Sequence, residues 1–163
     1  MTKPVKTNAM RILERMGIAF TVLSYESDGF TGGGQAAEKL GLAPKRVFKT
    51  LVTTGSDRAH YVFVIPTDCE LDLKKCARSV GVKATEMLPQ KDLLALTGYV
   101  RGGCTAIGMK KPFVTRLDRS AQNLETVCVS GGRIGCHLLL RPDDFLRAAS
   151  AAYADLTMGE DEP

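Results

Sequence analysis

The sequence lacks the hydrophobic segments that would tie it to a membrane or to secretion. No apolar run approaches the roughly 20 residues that a membrane-spanning helix needs. Residues 1–7 are basic but contain no apolar segment. We therefore expect no secretory signal and no membrane partner.

Histidine and cysteine are too few and too scattered for the common metal sites. The chain has two histidines and five cysteines, and no cysteines form a C-x-x-C pair. We expect no metal, and we interpret the thiols as reduced core residues of a cytoplasmic protein. No Ser-His-Asp set that would indicate a serine hydrolase is evident.

The composition that remains is typical of a globular domain. The chain has 163 residues, of which 44% are hydrophobic and 25% are charged, which is enough to bury a substantial core. We predict a single domain over residues 1–154. Residues 155–163 contain four acids and no base, and we expect this acidic tail to be flexible.

Positive charge is concentrated in the predicted domain. The whole chain has a formal net charge of +4, so residues 1–154 carry +8. Between residues 101 and 119 the sequence has five basic side chains and one acid, Asp118. Such a stretch beside a glycine loop suits a polyanion such as RNA, and we expect no DNA partner. The alternative is a solvated charged surface.

An unusual lysine lies within a predicted strand. Residues 47–53 alternate with apolar or small side chains on both faces, which is typical of a central strand. Because lysine is rarely buried without a partner, we expect Lys49 to open into a pocket for an anionic or electron-rich group. Glycine loops at 102–108 and 130–132 would border this pocket. The alternative is that Lys49 extends from an edge strand into water.

Periodicity and turn residues predict a mixed α/β fold with a largely antiparallel sheet and helices packed around it. The predicted helices cover about 8–16, 34–40, 71–79, 89–96 and 142–153. The predicted strands cover 19–25, 47–53, 60–65, 113–117, 125–129 and 136–140. We expect Thr7 to cap the first helix and Asp68 or Glu70 to open the third. The last two strands would be joined at 130–132.

One motif indicates a different chemistry. Residues 32–37 match G-x-G-x-x-A, and Asp57 follows about 20 residues later, as in dinucleotide-binding folds. However, the motif does not directly follow a strand, and Asp57 falls in the predicted hairpin turn at 55–57. We interpret the glycines as a flexible lead into a helix and expect no cofactor.

Five short segments occur in an order that resembles a known family. They lie at 46–51, 71–75, 97–103, 108–111 and 129–132. Together they resemble the YbaK-type aminoacyl-tRNA deacylases, which correct Cys-tRNA(Pro), and the similar editing insertion of bacterial prolyl-tRNA synthetases. The resemblance covers roughly residues 5–154. It implies a barrel-like sheet surrounded by helices.

The resemblance also implies a function. It indicates a trans-editing hydrolase that cleaves the ester of mischarged aminoacyl-tRNA, with Cys-tRNA(Pro) as the favoured substrate. The partners would be the tRNA 3′ acceptor end and prolyl-tRNA synthetase. The family's strand lysine matches Lys49, and Gly102 and Gly103 would offer N–H groups to the developing oxyanion. Substrate groups would replace a protein nucleophile, and Cys104, with no histidine nearby in sequence, is not expected to be one.

The other predicted site residues come from the resemblance and from charge. Those expected to bind substrate are Tyr25, Thr50, Thr105, Ala106, Gly108, Ser130, Gly131, Gly132 and His137. Those expected to contact tRNA phosphates are Lys74, Lys75, Lys110, Lys111 and Arg116. Without the resemblance, Tyr25 is equally an ordinary strand-end aromatic, and residues 130–132 are a hairpin turn.

Two positions depart from the family's pattern. Proline usually follows the serine or threonine of the family's loop, whereas Ala106 follows Thr105 here, and we expect a changed pocket size. Where the family tends to have aspartate, this chain has His137, which titrates near pH ~6.5. His137 would bind the substrate's α-amino group when neutral, or it is a packed strand residue.

Two other classes of function stay open. One is a non-catalytic module that binds tRNA or a synthetase through the same pocket. The other is a small-molecule binder in which the basic stretch is incidental. Salt-dependent tRNA affinity would exclude the small-molecule binder, and turnover would distinguish the deacylase from the binding module.

Overall fold

A β-hairpin lies at the centre of the fold. The computed structural model describes residues 6–26 and 33–158. The hairpin consists of β2 (Phe48–Gly55) and β3 (His60–Pro66), which pair antiparallel along their length. The Asp57 carboxylate accepts a hydrogen bond from the Ala59 N–H at 3.1 Å and closes the turn. The predicted hairpin is therefore confirmed.

The hairpin belongs to a five-stranded mixed sheet. β2 also pairs antiparallel with β4 (Thr85–Met87), but only over residues 53–55. On the other side, β3 pairs parallel with β5 (Val114–Asp118), and β5 pairs parallel with β8 (Ala151–Ala154). The sequence prediction missed β4 and β8, so it missed both edges of this sheet.

A second, three-stranded sheet is antiparallel throughout. β7 (Cys136–Leu140) lies between β1 (Thr21–Ser24) and β6 (Val127–Arg133). The predicted turn at 130–132 is wrong, because this glycine run lies inside β6, where the register shifts between Ser130 and Arg133. The bulge requires a positive φ at position 132, and Gly132 adopts a φ of 110°, which glycine does without a steric cost.

The two sheets meet at an isolated parallel bridge between Val47 and Cys128. The strands of the described residues form one sheet of three and one of five. The fold is therefore mixed α/β, as predicted, with one antiparallel and one mixed sheet. The barrel-like shape is not confirmed, since no closed barrel is found among the described strands.

Helices cover the sheets and are built mostly where the sequence predicts them. They are α1 (Asn8–Arg15), α2 (Gly33–Leu40), α3 (Leu73–Val80), α4 (Leu93–Thr97) and α5 (Pro142–Ala149). Thr7 caps α1 as predicted, accepting from the Met10 N–H at 3.2 Å. α3 is capped by Asp72 rather than by Asp68 or Glu70. The Asp72 side chain accepts hydrogen bonds from the N–H groups of Lys74 and Lys75. No helix of the described ranges is long and apolar enough to cross a membrane.

The C-terminal helix is shorter than predicted. α5 ends at Ala149, and Ser150 adopts the left-handed φ of 51°, which turns the chain into β8. Beyond β8, Leu156 is fully buried and its N–H donates to Asp118 at 3.1 Å. The packed chain thus extends past residue 154, where the flexible tail was expected to begin. Residues 159–163 lie outside the described ranges, and the single domain stays a prediction.

Two hydrophobic clusters lie on opposite faces of β3. Val62 and Val64 belong to the main core, which also contains apolar residues of the three-stranded sheet and α1. Phe63 and Ile65 belong to a second cluster, with Leu156. Because successive strand residues point to opposite faces, β3 is buried on both sides. It supplies a rigid support for the neighbouring strand that carries Lys49.

Candidate active site

Lys49 extends along an apolar row to the rim of a cavity. It pairs with Ile65 on β3, beside Leu51, which packs against the second core cluster. Lys49 is half-buried and lines the cavity. A lysine in this position covers the apolar row with its stem and keeps its ammonium at the polar opening. Lys49 forms no salt bridge with any described residue.

The three-stranded sheet contributes the opposite wall. Strand pairing places His137 beside Ser130 of β6 and Leu23 of β1. The His137 ring stacks on Tyr25 with 5.8 Å between ring centroids. Lys39 of α2 lies over the same Tyr25 ring, with its Nζ 5.3 Å from the centroid, a cation–π contact. The Tyr25 ring is therefore in contact with both a cation and an imidazole.

His137 is uncharged and has an unused hydrogen-bonding atom. Its side chain is 6% exposed, and burial lowers its pKa, so the imidazole is neutral at neutral pH. Its buried Nδ1 has no hydrogen-bond partner among the described residues. Leaving a buried polar atom unpaired costs about 1–3 kcal/mol. A substrate group that pairs with Nδ1 would recover part of that cost.

A tight loop at 101–104 closes the cavity. Gly103 donates its N–H to the Val100 carbonyl at 3.0 Å, and a Cβ at this position would lie 2.9 Å from the Arg133 Cα. Gly103 is thus the residue that lets the loop pack against the β6 bulge. The N–H groups of Gly102 and Cys104 make no hydrogen bond to the described residues. They are the loop's available donors.

Cys104 is not poised as a nucleophile. Burial raises the pKa of its thiol to about 12. The thiolate, which is the reactive form, is therefore scarce at neutral pH. The sequence did not lead us to expect a nucleophile at Cys104, and this raised pKa gives no support for one.

The elements enclose a cavity of about 290 Å³ between the two sheets. Of the predicted site residues, all of which the structure describes, six line this cavity. They are Tyr25, Lys49, Thr50, Gly102, Ser130 and His137. No acidic side chain is among the described residues that line it, whereas Lys49 and Arg101 are. The site therefore favours an anionic or electron-rich ligand.

The remaining predicted loop residues lie elsewhere. Gly103, Gly131 and Gly132 form the packed bulge and loop behind the cavity wall, and Thr105 is fully buried. Ala106 and Gly108 instead line a separate cavity of about 420 Å³. Ala106 therefore does not set the size of the first cavity directly.

Sequence reasoning missed several residues of this cavity. Arg101 and Thr67 line it directly, and Lys39 reaches it by way of Tyr25. Arg101 had one signal, since it directly precedes the predicted Gly102. Thr67 and Lys39 had none, because only tertiary packing brings β3's end and α2 to the site.

The predicted phosphate-binding residues fall into two groups. Lys75 is paired with Asp155 at 3.2 Å and donates to the Thr157 carbonyl. Arg116 donates to the carbonyls of Ser79 and Thr115. These two cations have structural partners within the chain. Lys74, Lys110 and Lys111 are exposed, although the Lys110 Nζ also donates to the Ala95 carbonyl at 3.3 Å.

Comparison with known proteins gives one consistent result. A family model described as the aminoacyl-tRNA editing domain matches residues 33–148. The proposed Cys-tRNA(Pro)/Cys-tRNA(Cys) deacylase EbsC of Enterococcus faecalis is 43% identical over 156 residues, 95% of each chain. The uncharacterised protein YwhH of Bacillus subtilis is 30% identical over 111 residues, 68% of this chain and 70% of its own.

A solved structure agrees. The crystal structure of a proposed trans-editing enzyme for prolyl-tRNA synthetase matches with a TM-score of 0.81 and 26% identity, covering 95% of this chain and 100% of that one. The chain therefore belongs to the aminoacyl-tRNA editing domain family. It is a hydrolase that deacylates aminoacyl-tRNA, and the resemblance drawn from its sequence is confirmed.

Proposed function

We propose that this protein is a trans-editing enzyme that hydrolyses the ester of Cys-tRNA(Pro). The observation that carries the proposal is the single cavity in which Lys49, Gly102, Ser130 and His137 meet, with no acid among its described lining residues. The name of the Enterococcus faecalis relative supports a cysteinyl substrate. Alanine and other small residues are the next candidates.

The cavity's groups divide into three roles. Lys49, aided by Arg101, binds the terminal ribose or phosphate of the acceptor end. The N–H groups of Gly102 and Cys104 stabilise negative charge as it develops on the ester carbonyl. The Ser130 hydroxyl, which accepts from the Gly132 N–H at 3.2 Å, can donate its own proton to the aminoacyl group.

His137 completes the aminoacyl pocket. Its neutral imidazole binds the substrate's α-amino group through Nδ1, which has no partner among the described residues. Aspartate, which the family tends to have here, would hold an ammonium by charge. The neutral imidazole of His137 instead binds the α-amino group by a hydrogen bond, which does not require the amine to be charged. It therefore accepts the amine with less dependence on the amine's protonation.

The chemistry needs no protein nucleophile. Water attacks the ester carbonyl, and the free ribose hydroxyl of the substrate assists by passing a proton to the departing ribose oxygen. Alternatively, the cysteinyl thiol attacks the carbonyl and displaces the ribose oxygen, and water then opens the resulting thiolactone. The buried Cys104 thiol, with its pKa raised to about 12 by burial, takes no part. Rate enhancement comes from positioning and from the N–H groups of the loop.

Partners outside the cavity follow from the exposed charge. Lys74, Lys110 and Lys111 contact phosphates of the acceptor stem. Prolyl-tRNA synthetase, in the cytoplasm, is the protein partner that supplies further tRNA selectivity, since a domain of this size contacts only the tRNA end.

The test is the release of amino acid from Cys-tRNA(Pro), Ala-tRNA(Pro) and Pro-tRNA(Pro), with and without prolyl-tRNA synthetase. We expect the fastest release from Cys-tRNA(Pro) and little from Pro-tRNA(Pro). Fastest release from Ala-tRNA(Pro) would overturn the cysteinyl assignment alone. No release from any of the three, with tRNA still bound, would instead support the non-catalytic binding module.

A further inference from the structure

A second cavity adjoins the first across a shared wall. It has a volume of about 320 Å³. The residues that line both cavities are Thr50, Leu51, Arg101, Gly102 and Cys104. The second cavity therefore lies directly beside the one that Lys49 lines, within reach of a ligand that extends past Gly102.

Backbone groups of β2 face this junction. The Val52 carbonyl accepts from the Leu88 N–H at 3.0 Å, on the side of β2 away from β3. Because backbone groups repeat their direction every second residue along an antiparallel strand, the N–H and C=O of Thr50 point the same way. β4 covers β2 only over residues 53–55, and β6 approaches it only at the Val47–Cys128 bridge. In the described chain no strand pairs with Thr50 on this side.

The rest of the second cavity is largely apolar, with Gln90 as a polar side chain among its lining residues. Met87, Leu88 and Leu93 line it, and Met87 is 45% exposed although it is a large hydrophobic residue. At the junction, Arg101 is held by a hydrogen bond from its Nη1 to the Gln90 Oε1 at 2.9 Å. Apolar side chains and a guanidinium plane are surfaces on which nucleobases stack.

We propose that the second cavity binds the adenine base of the tRNA's terminal adenosine. The Thr50 carbonyl accepts a hydrogen bond from the exocyclic N6 amine, and the Thr50 N–H donates to the ring N1. The apolar wall at Met87 covers one face of the base. This inference rests on the proposed function, which places the ester of that same adenosine beside Lys49. It assigns base recognition to backbone groups that a side-chain substitution leaves in place.

The first experiment compares three small ligands on the full chain. They are AMP, ribose 5-phosphate and N6,N6-dimethyl-AMP, titrated by NMR while the Thr50 amide is followed. We expect AMP to bind about fivefold or more tightly than ribose 5-phosphate, roughly the gain of one net hydrogen bond, and to shift the Thr50 amide. Dimethylation removes the N6 donor, so that analogue is expected to lose most of this advantage.

The second experiment separates the apolar wall from general surface effects. Met87→Glu is expected to bring AMP down to the affinity of ribose 5-phosphate. The matched variant Leu94→Glu changes a residue that is 54% exposed and does not line the cavity, and it is expected to keep the AMP preference.

Three results would overturn the adenine site. They are no preference for AMP over ribose 5-phosphate, equal binding of the dimethylated analogue, and equal losses in the two glutamate variants. Because ligand binding needs no turnover, failure of the deacylase proposal is recognised separately. In that case AMP shows the expected pattern while no aminoacyl-tRNA is hydrolysed.

Discussion

At the scale of single residues, His137 combines burial with an open hydrogen-bonding capacity. Its pKa is lowered by burial, so the folded protein resists a proton that the unfolded chain accepts below about pH 6.5. The unfolded state then binds more protons than the folded state. The free energy of unfolding must therefore fall as the pH falls through this window, and the contribution is fully present above it.

The variant His137→Gln tests this linkage. Removing the buried imidazole is expected to make the free energy of unfolding depend less on pH between about pH 7 and pH 5. Urea unfolding at several pH values measures the slope. His60→Gln is the matched control, because it removes the chain's other histidine and leaves His137 in place. Parallel pH profiles for wild type and His137→Gln would contradict the buried, neutral assignment.

The site residues that sequence reasoning found share one property, which is that local pattern marks them. Alternation along a strand exposes Lys49 as the one cation in an apolar row, and the glycine loop marks Gly102. Thr67 and Lys39 have no such mark, because an ordinary threonine and an ordinary helix lysine become site residues only through packing. Local pattern also does not reveal that the backbone of Thr50 has no strand partner on the β4 side. This depends on where β4 stops.

At the scale of secondary-structure elements, the start of α3 shows how a cap decides between nearby acids. The sequence offers Asp68, Glu70 and Asp72 within five positions. The structure uses Asp72, whose carboxylate accepts from the N–H groups of Lys74 and Lys75 at 3.0 and 3.1 Å. The capping oxygen must sit one turn before those N–H groups. Asp68 is too far upstream.

Substitution by alanine distinguishes these acids. Asp72→Ala is expected to lower the free energy of unfolding by about 1 kcal/mol, the usual value of an N-cap. Asp68→Ala, at an exposed position, is expected to change it by less than about 0.5 kcal/mol. Chemical denaturation of both variants measures the difference. An equal loss at the two positions would mean that the cap contributes nothing specific to α3.

The elements that sequence reasoning missed are short or depend on distant partners. β4 has three residues and β8 has four, too few for alternation to be recognised. Most of β8 fell within the helix predicted at 142–153, and alanine does favour a helix. Ser150 nevertheless reverses the chain, and pairing with β5 decides the outcome. The glycine run at 130–132 looked like a turn because sequence does not distinguish a turn from a bulge.

At the scale of the whole molecule, the arrangement of the sheets exceeds what local pattern contains. The parallel pairing of β3 with β5 joins residues about fifty positions apart in sequence, and such contacts are set by the complete core. The fold class was still predictable, because helices and hairpins alternate without a β-α-β rhythm. The division into two sheets, with the cavity between them, was not.

Exposed positive charge also contributes at the scale of the whole molecule, through its effect on tRNA binding. Lys110 and Lys111 are exposed, and contacts with phosphate release counterions. Replacing both by alanine is expected to weaken tRNA binding and to reduce the slope of log affinity against log salt by about 1 per lysine. Binding titrations at several salt concentrations measure this slope. Lys83→Ala removes an equivalent exposed charge outside the predicted set, and an equal reduction there would contradict a specific role.

The most direct test of this active site is the hydrolysis of Cys-tRNA(Pro) by wild type, Lys49→Ala and Lys83→Ala. The account predicts that Lys49→Ala lowers the rate by about 100-fold or more, the scale of losing a preorganised electrostatic contact. Lys83→Ala removes an exposed lysine that neither lines the cavity nor belongs to the predicted phosphate-binding set, and it should hydrolyse the ester nearly as fast as wild type. Undiminished hydrolysis by a folded Lys49→Ala variant would place the active site elsewhere and contradict the central claim.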